Sequence, residues 1–251
     1  MKTRIILLLL GCINVLLAFG NNEHFQQAND LYTKGEYKAA AEMYQKLVDN
    51  NYESAALYFN LGNSYYKQNA VAEAILYYEK AKKLAPHDND IQFNLDMANL
   101  QITDKIEPIP TFFLTSFWIN LLQLSNMDGW AWITVISLFT VCVLFTLFTL
   151  SSEILWRKVN FYSGLMLLLV ALFSLYAAFS QHKIVSTSNY AIVFTPTLNV
   201  KSSPGNTGKD LFVIHEGTKV QLLEQTEEDW YKIILADGNV GWLKKTDIKL
   251  I

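Results

Sequence analysis

Three rhythms of apolar and polar positions follow one another along the chain. From residue 24 to 100, apolar and small residues return every three, four and seven positions, which puts them on one face of a 3.6-residue helix. In "LYFNLGNSYYKQNAVAEAILYYEKAKKLAP" (57–86) those positions are Tyr58, Leu61, Gly62, Tyr65, Ala74, Tyr78, Ala81 and Pro86, bulky residues alternating with very small ones. Thirty unbroken residues would make a long helix, and Asn69 favours a turn, so the pattern predicts two antiparallel helices joined near Gln68 to Ala70. Between 130 and 180 the polar positions nearly vanish. From 184 onward the period falls to two, in short β-rich runs separated by turn residues.

The apolar runs 130–150 and 159–180 contain no charge. At 1.5 Å per residue each reaches roughly 30 Å, the thickness of a bilayer's hydrocarbon core. Trp130, Trp132 and Trp156 stand at their ends, where aromatic belts form. A transmembrane hairpin is therefore expected, with Arg157 and Lys158 in its short connection, 151–158. The positive-inside rule puts that connection in the cytoplasm and both flanking regions outside. Residues 1–20 carry Lys2 and Arg4, then an apolar run ending in Ala18-Phe19-Gly20, the form of a secretory signal peptide cut after Gly20. The same residues would also serve as an uncleaved anchor. "LLGC" at 9–12 is not a lipoprotein box, because the apolar run continues past Cys12.

Just before the hairpin, "TFFLTSFWINLLQL" (111–124) aligns Phe113, Phe117, Leu121 and Leu124 on one stripe, with Thr115, Asn120 and Gln123 off it. An interfacial helix over 111–127 is predicted. Packing of the same stripe against the preceding helices is the alternative.

Charge narrows the partners. Loss of the leader removes two cations and no acid, leaving 18 basic against 23 acidic side chains, a net −5. Region 21–108 has 8 basic and 13 acidic residues and region 184–251 has 7 and 8, so nucleic acid is excluded as a partner. Both cysteines, Cys12 and Cys142, lie in apolar runs, so the flanking regions have no disulfide, thiolate metal site or cysteine nucleophile. His24, His87, His182 and His215 stand apart from any nucleophile, metal spacing or phosphate loop, and neither catalysis nor a cofactor is expected. "PHDND" at 86–90 lacks the glycine and distal glutamate of a calcium loop and reads as a helix N-cap.

The helical segment repeats itself. "KGEYKAAAEMYQKLVDN" (34–50) aligns with "QNAVAEAILYYEKAKKL" (68–84) at a period of 34, with Ala28 on Gly62, Leu31 on Tyr65, Ala40 on Ala74, Tyr44 on Tyr78 and Leu47 on Ala81. This resembles the tetratricopeptide pattern, most closely at 58–86. Repeats are expected at about 21–54 and 55–88 within a domain 21–108, closed by a capping helix at 89–104. The first copy departs from the pattern at His24 and Tyr52. The resemblance implies a peptide groove lined by Asn29, Asn60, Asn63, Tyr66 and Lys67. The asparagines would equally serve as hydrogen-bond partners between neighbouring helices.

The terminal segment, 184–251, is similar to bacterial SH3 domains, a small all-β barrel. The matching residues are Leu198-Asn199-Val200-Lys201-Ser202-Ser203-Pro204, Gly217-Thr218-Lys219-Val220, Trp230-Tyr231-Lys232-Ile233 and Asp237-Gly238-x2-Gly241-Trp242, with Lys201 where arginine is usual. The resemblance offers Trp230 and Trp242 as a ligand shelf, and core packing of both is the alternative.

In order, the leader, repeat pair, "DKIEP", apolar hairpin and SH3-like domain with "HEGTKV" resemble the BatE proteins of the Bacteroides aerotolerance operon. That resemblance implies a Gram-negative inner membrane, periplasmic flanking domains and association with other Bat proteins that carry von Willebrand factor A domains. Two functions follow as expectations. One is a non-catalytic membrane scaffold that grips a partner with two tethered modules. The other is an envelope sensor that binds peptidoglycan through the SH3-like domain.

Overall fold

The computed structural model describes residues 23–110, 112–122, 124–125, 127–187, 189–205, 208–226 and 229–251, with side chains described outside 181–187; the expected leader at 1–20 lies outside them. The chain divides into two compact units, and the first is discontinuous in sequence. It joins the region up to Ile109 to Asn189–Ile251, while Pro110–Ser188 forms the second.

The first unit begins with five helices, α1 (23–33), α2 (Tyr37–Asp49), α3 (Ala55–Lys67), α4 (Val71–Leu84) and α5 (Asn89–Asn99). The turn between α3 and α4 falls where the sequence places it, with Asn69 at a φ of 62°. Small residues set the helix approach: Ala28, Ala40, Ala74 and Ala81 are fully buried beside Tyr44 and Tyr78. A Cβ built on Gly62 would stand 2.7 Å from the Tyr78 ring, so this position needs hydrogen where every other residue has carbon. Asp88 caps α5, its side chain accepting from the backbone N–H groups of Asp90 and Ile91, as "PHDND" predicts. At the other end of α5, Lys105 Nζ donates to the carbonyls of Asn99 and Leu100, at 2.8 and 2.9 Å. α5 buries Ile91, Leu95 and Ala98 against the stack and leaves Phe93 and Met97 exposed, as is Leu100 just beyond its end.

Seven strands complete this unit: β1 (Tyr190–Val193), β2 (Thr197–Lys201), β3 (Asp210–His215), β4 (Lys219–Gln225), β5 (Trp230–Ile234), β6 (Val240–Lys244) and β7 (Ile248–Leu250). They form one antiparallel sheet in the order β3-β2-β6-β5-β4-β1-β7. Its inner face buries Ala191, Val193, Val200, Ile214, Val220, Ile233 and Leu243. Among the described residues no ladder joins β3 to β7, so the sheet is open where a barrel would close. β7 has three residues and pairs with β1 alone.

The second unit holds α6 (Phe113–Leu122), α7 (Met127–Leu150) and α8 (Ile154–Thr187). α7 and α8 are long and apolar enough to cross a bilayer. They pack through small and hydroxyl side chains: Ala171 and Ala177 are buried, and Thr134 Oγ1 lies 2.8 Å from Ser174 Oγ. α6 folds against this pair, with Trp118 edge-on to Phe173 and Trp130 Nε1 donating to the Leu122 carbonyl at 2.9 Å. Of the expected stripe, Phe113, Phe117 and Leu124 are exposed and Leu121 is half-buried. The connection is shorter than the apolar pattern suggests. Only residues 151–153 are non-helical, and Arg157 and Lys158 belong to the start of α8. An apolar run marks where a helix can meet lipid, whereas hydrogen bonding continues the helix past it.

Candidate binding surfaces

The repeat asparagines build a ladder. Asn29 Oδ1 on α1 accepts from Tyr44 Oη at 2.5 Å and from Asn60 Nδ2 at 3.0 Å. One period later, Asn63 Oδ1 on α3 accepts from Tyr78 Oη at 2.7 Å and from Asn94 Nδ2 at 2.9 Å. Each carbonyl oxygen thus ties one tyrosine of its own repeat to one asparagine of the next first helix. Asn94 was not among the sequence candidates, yet the sequence carries its signal, because Asn29/Asn63, Tyr44/Tyr78 and Asn60/Asn94 are three pairs at spacing 34. Tyr66 Oη accepts from Gln101 Nε2 at 2.6 Å, and Lys67 is exposed at the end of α3. Burial pushes Tyr44 up to about 12, against the lowering effect of its hydrogen bonding.

On the sheet the two tryptophans differ. Trp230 is buried, 6 % exposed, with Lys244 Nζ 5.6 Å from its ring centroid. Trp242 is half-buried and central to a row that crosses five strands. Glu224 on β4 pairs with Lys232 on β5, Lys232 with Trp242 on β6, Trp242 with Lys201 on β2, and Lys201 with Asp210 on β3. Lys201 Nζ is 2.8 Å from Asp210 Oδ1 and Lys232 Nζ is 3.5 Å from Glu224 Oε1. The aromatic face is therefore flanked by two ammonium groups, each with a carboxylate behind it. Lys201 and Lys232 are residues that the aromatic pattern alone did not single out. A separate depression of about 330 Å³ on this sheet is lined by Tyr190, Leu222, Tyr231 and Ile251, away from both tryptophans.

The helical stack and the sheet are not separately tethered modules. They share a core: Ile192, Phe194 and Ile251 pack into the helical cluster that includes Ile75 and Tyr78. The seam is fixed by "DKIEP" meeting "HEGTKV". Asp104 Oδ2 accepts from the His215 backbone N–H and from Thr218 Oγ1, both at 2.6 Å, and Asp104 Oδ1 is 2.8 Å from His215 Nδ1. Burial pushes the Asp104 carboxyl up, but the hydrogen bonds from Thr218 and His215 outweigh it and hold the group below its ordinary value. The carboxylate is thus ionised at neutral pH and accepts only, which assigns the Nδ1 proton to His215. Thr218 donates to the carboxylate and not to the imidazole, so the three groups are not ordered as nucleophile, base and orienter. Lys219 Nζ reaches Glu79 Oε2 of α4 at 2.7 Å, and a Cβ on Gly217 would stand 2.5 Å from Ile102 Cγ2. Further along, Ile109 N donates to the Ala236 carbonyl at 3.1 Å.

Two family models match the chain. Residues 25–89 match the tetratricopeptide repeat and residues 196–249 match the bacterial SH3 domain. No curated protein matches the chain. The first match covers nearly all of α1 to α4 and includes Asn29, Asn60 and Asn63 of the ladder, while Asn94 lies beyond it on α5. The second runs from the turn before β2 into β7 and includes Trp230, Trp242 and both flanking lysines.

Proposed function

We propose that this chain is a non-catalytic membrane scaffold, whose repeat stack and SH3-like sheet present one continuous surface to a protein partner. The observation that carries this reading is the Asp104 seam. Two modules of binding type are held together by a carboxylate with three hydrogen bonds, on chain segments that flank an apolar hairpin. Segments that share a core occupy one compartment, so an even number of crossings must separate them, and α7 and α8 supply two. With Arg157 and Lys158 in the cytoplasm, that compartment is the periplasm of a multi-pass inner-membrane protein. In this reading residues 1–20 direct export. The partner class, by resemblance to BatE proteins, is a Bat protein with a von Willebrand factor A domain within an aerotolerance complex.

A second reading draws on Trp242. An aromatic face flanked by Lys201 and Lys232 suits a ligand that carries carboxylates, such as the stem peptide of peptidoglycan.

Crosslinking in native membranes, followed by identification of the captured proteins, separates the two readings. The scaffold reading expects the same partner to crosslink to the helical stack and to the sheet, and expects Asp104→Ala to weaken both crosslinks together. Capture of isolated cell wall by the intact protein, lost in Trp242→Ala with protein crosslinks unchanged, favours the second.

A further inference from the structure

The hairpin unit contains a crevice that its own helices do not fill. On α7 and α8, near their short connection, one trough of about 200 Å³ is lined by Phe145, Phe148, Asn160, Phe161, Gly164 and Leu168 among others. A second, of about 320 Å³, is lined by Phe148, Arg157, Lys158, Phe161 and Tyr162, with Ile154. Phe148 and Phe161 line both, so the two adjoin. The outer part carries two cations and no acid, and the inner part is apolar apart from Asn160.

Three observations go beyond the basic residues that flank many spans. Asn160 is only 9 % exposed and lines the inner trough, and among the described residues no hydrogen bond reaches its amide, whose atoms keep their remaining exposure. An amide in an apolar trough is costly to leave unpaired. Neither Arg157 nor Lys158 has an ion-pair partner among the described residues; the Arg157 guanidinium lies 5.3 Å over the Phe148 ring instead. Finally, a Cβ built on Gly164 would meet only Leu144 Cβ, at 3.9 Å. The trough is open because position 164 has no side chain.

Arg157, Asn160, Gly164 and Leu168 fall at i, i+3, i+7 and i+11, one stripe of α8. Counted along the helix, Asn160 lies about 4.5 Å and Gly164 about 10 Å inward from Arg157. Cation, amide donor and apolar trough thus succeed one another in the order of phosphate, glycerol ester and acyl chain.

We propose that this crevice binds one anionic phospholipid. Arg157 and Lys158 hold its phosphate, Asn160 Nδ2 donates to an ester carbonyl, and one acyl chain lies in the trough over Gly164. The site rests on the reading of α7 and α8 as membrane spans. It selects anionic over zwitterionic lipid because its lining has two cations and no carboxylate to meet a choline or ethanolamine headgroup.

The test is native mass spectrometry of the full-length protein from nanodiscs of phosphatidylcholine with a minor share of phosphatidylglycerol. The wild type should retain one phosphatidylglycerol in preference to phosphatidylcholine. The double variant Arg157→Gln/Lys158→Gln should lose that preference by roughly tenfold or more. Gly164→Leu, which fills the trough and leaves both cations, should lose the retained lipid as well. Retention by Gly164→Leu equal to the wild type means plain surface attraction and overturns the site. A circular-dichroism spectrum and an elution volume in detergent matching the wild type establish that each variant is folded; Asn160→Leu, expected to weaken retention, provides a second inner-trough variant. Extraction of the wild type by alkaline carbonate would overturn the membrane reading and the site with it, whereas carbonate resistance without a preferred lipid overturns the site alone.

Discussion

Asp104 and His215 are 111 positions apart, with the whole apolar hairpin between them, yet Asp104 accepts both the backbone N–H and the imidazole Nδ1–H of His215. The contact ties together the two chain segments that make up the first unit. Truncation to Asp104→Ala leaves a backbone N–H and the Thr218 hydroxyl without their acceptor. It should destabilise the seam by about 2–4 kcal/mol. The expected readout is proteolysis of the full-length protein near residues 102–109, in the segment that crosses between helices and sheet, at protease levels that leave the wild type intact. An unchanged cleavage pattern would mean that the apolar contacts of Ile102 and Ile192 hold the seam without the carboxylate.

The same carboxyl sets a pH dependence at the acid end. Its folded value is depressed, so its contribution is fully present above the ordinary carboxylate value and is lost as pH falls through the lower folded value. Thermal unfolding of wild type and Asp104→Asn should therefore differ at neutral pH and converge as pH falls below about 4. A gap that persists at pH 2 would show that the variant acts through packing alone.

At the alkaline end the tyrosines dominate. Burial pushes Tyr44, Tyr58 and Tyr77 up to about 12, and raises Tyr78 further in the same direction. These groups are neutral in both states below their unfolded value near 10, so stability is complete there and falls as pH rises from 10 through 12. The share of tyrosinate absorbance that these four side chains supply should accordingly appear together with loss of helical circular dichroism, as one cooperative step. Smooth titration of all tyrosines near pH 10 with the helices intact would contradict the buried ladder.

Much of this architecture is legible in the sequence because it rests on periodicity. Small residues at a 34-residue spacing locate the helix approaches, Asn69 locates a turn, and two uncharged runs locate the long helices. The seam is a different matter. Asp104, His215 and Thr218 share no period, and only their proximity in space makes them a unit. The asparagine ladder lies between these cases. Its repeat is visible at spacing 34, but which way the amides point depends on the hydroxyls of Tyr44 and Tyr78 beneath them. Likewise, the flanking of Trp242 by Lys201 and Lys232 follows from a strand order in which β2 lies beside β6, and no local pattern encodes that.

The close approach of α3 and α4 predicts a steric threshold at position 62. Gly62→Leu forces the Tyr78 ring away from where a Cβ would already stand at 2.7 Å, and the Tyr78 hydroxyl then loses Asn63. Overpacking should cost ~1–3 kcal/mol. Tyr78→Phe removes the hydroxyl without moving the ring and leaves Asn63 bonded to Asn94, so its cost should be smaller, about 1 kcal/mol. Denaturant unfolding of the two variants should rank them in that order, and the reverse ranking would mean that the hydroxyl, not the approach, fixes the repeat.

The orientation of the hairpin is open to single-cysteine labelling in a Cys12→Ala/Cys142→Ala background. His87 and Ser203 are exposed in the first unit, and Ser152 is exposed in the short connection. Ser54 is a poor probe site, because its Oγ caps α3 by accepting from Leu57 N. In cells with a permeabilised outer membrane, His87→Cys and Ser203→Cys should both react with an impermeant thiol reagent, while Ser152→Cys should react only after the inner membrane is broken. His87 and Ser203 must report the same side in any case, since their segments share one core. Labelling of one without the other would break the link between seam and topology, and labelling of Ser152→Cys alone would invert the orientation while leaving the seam intact.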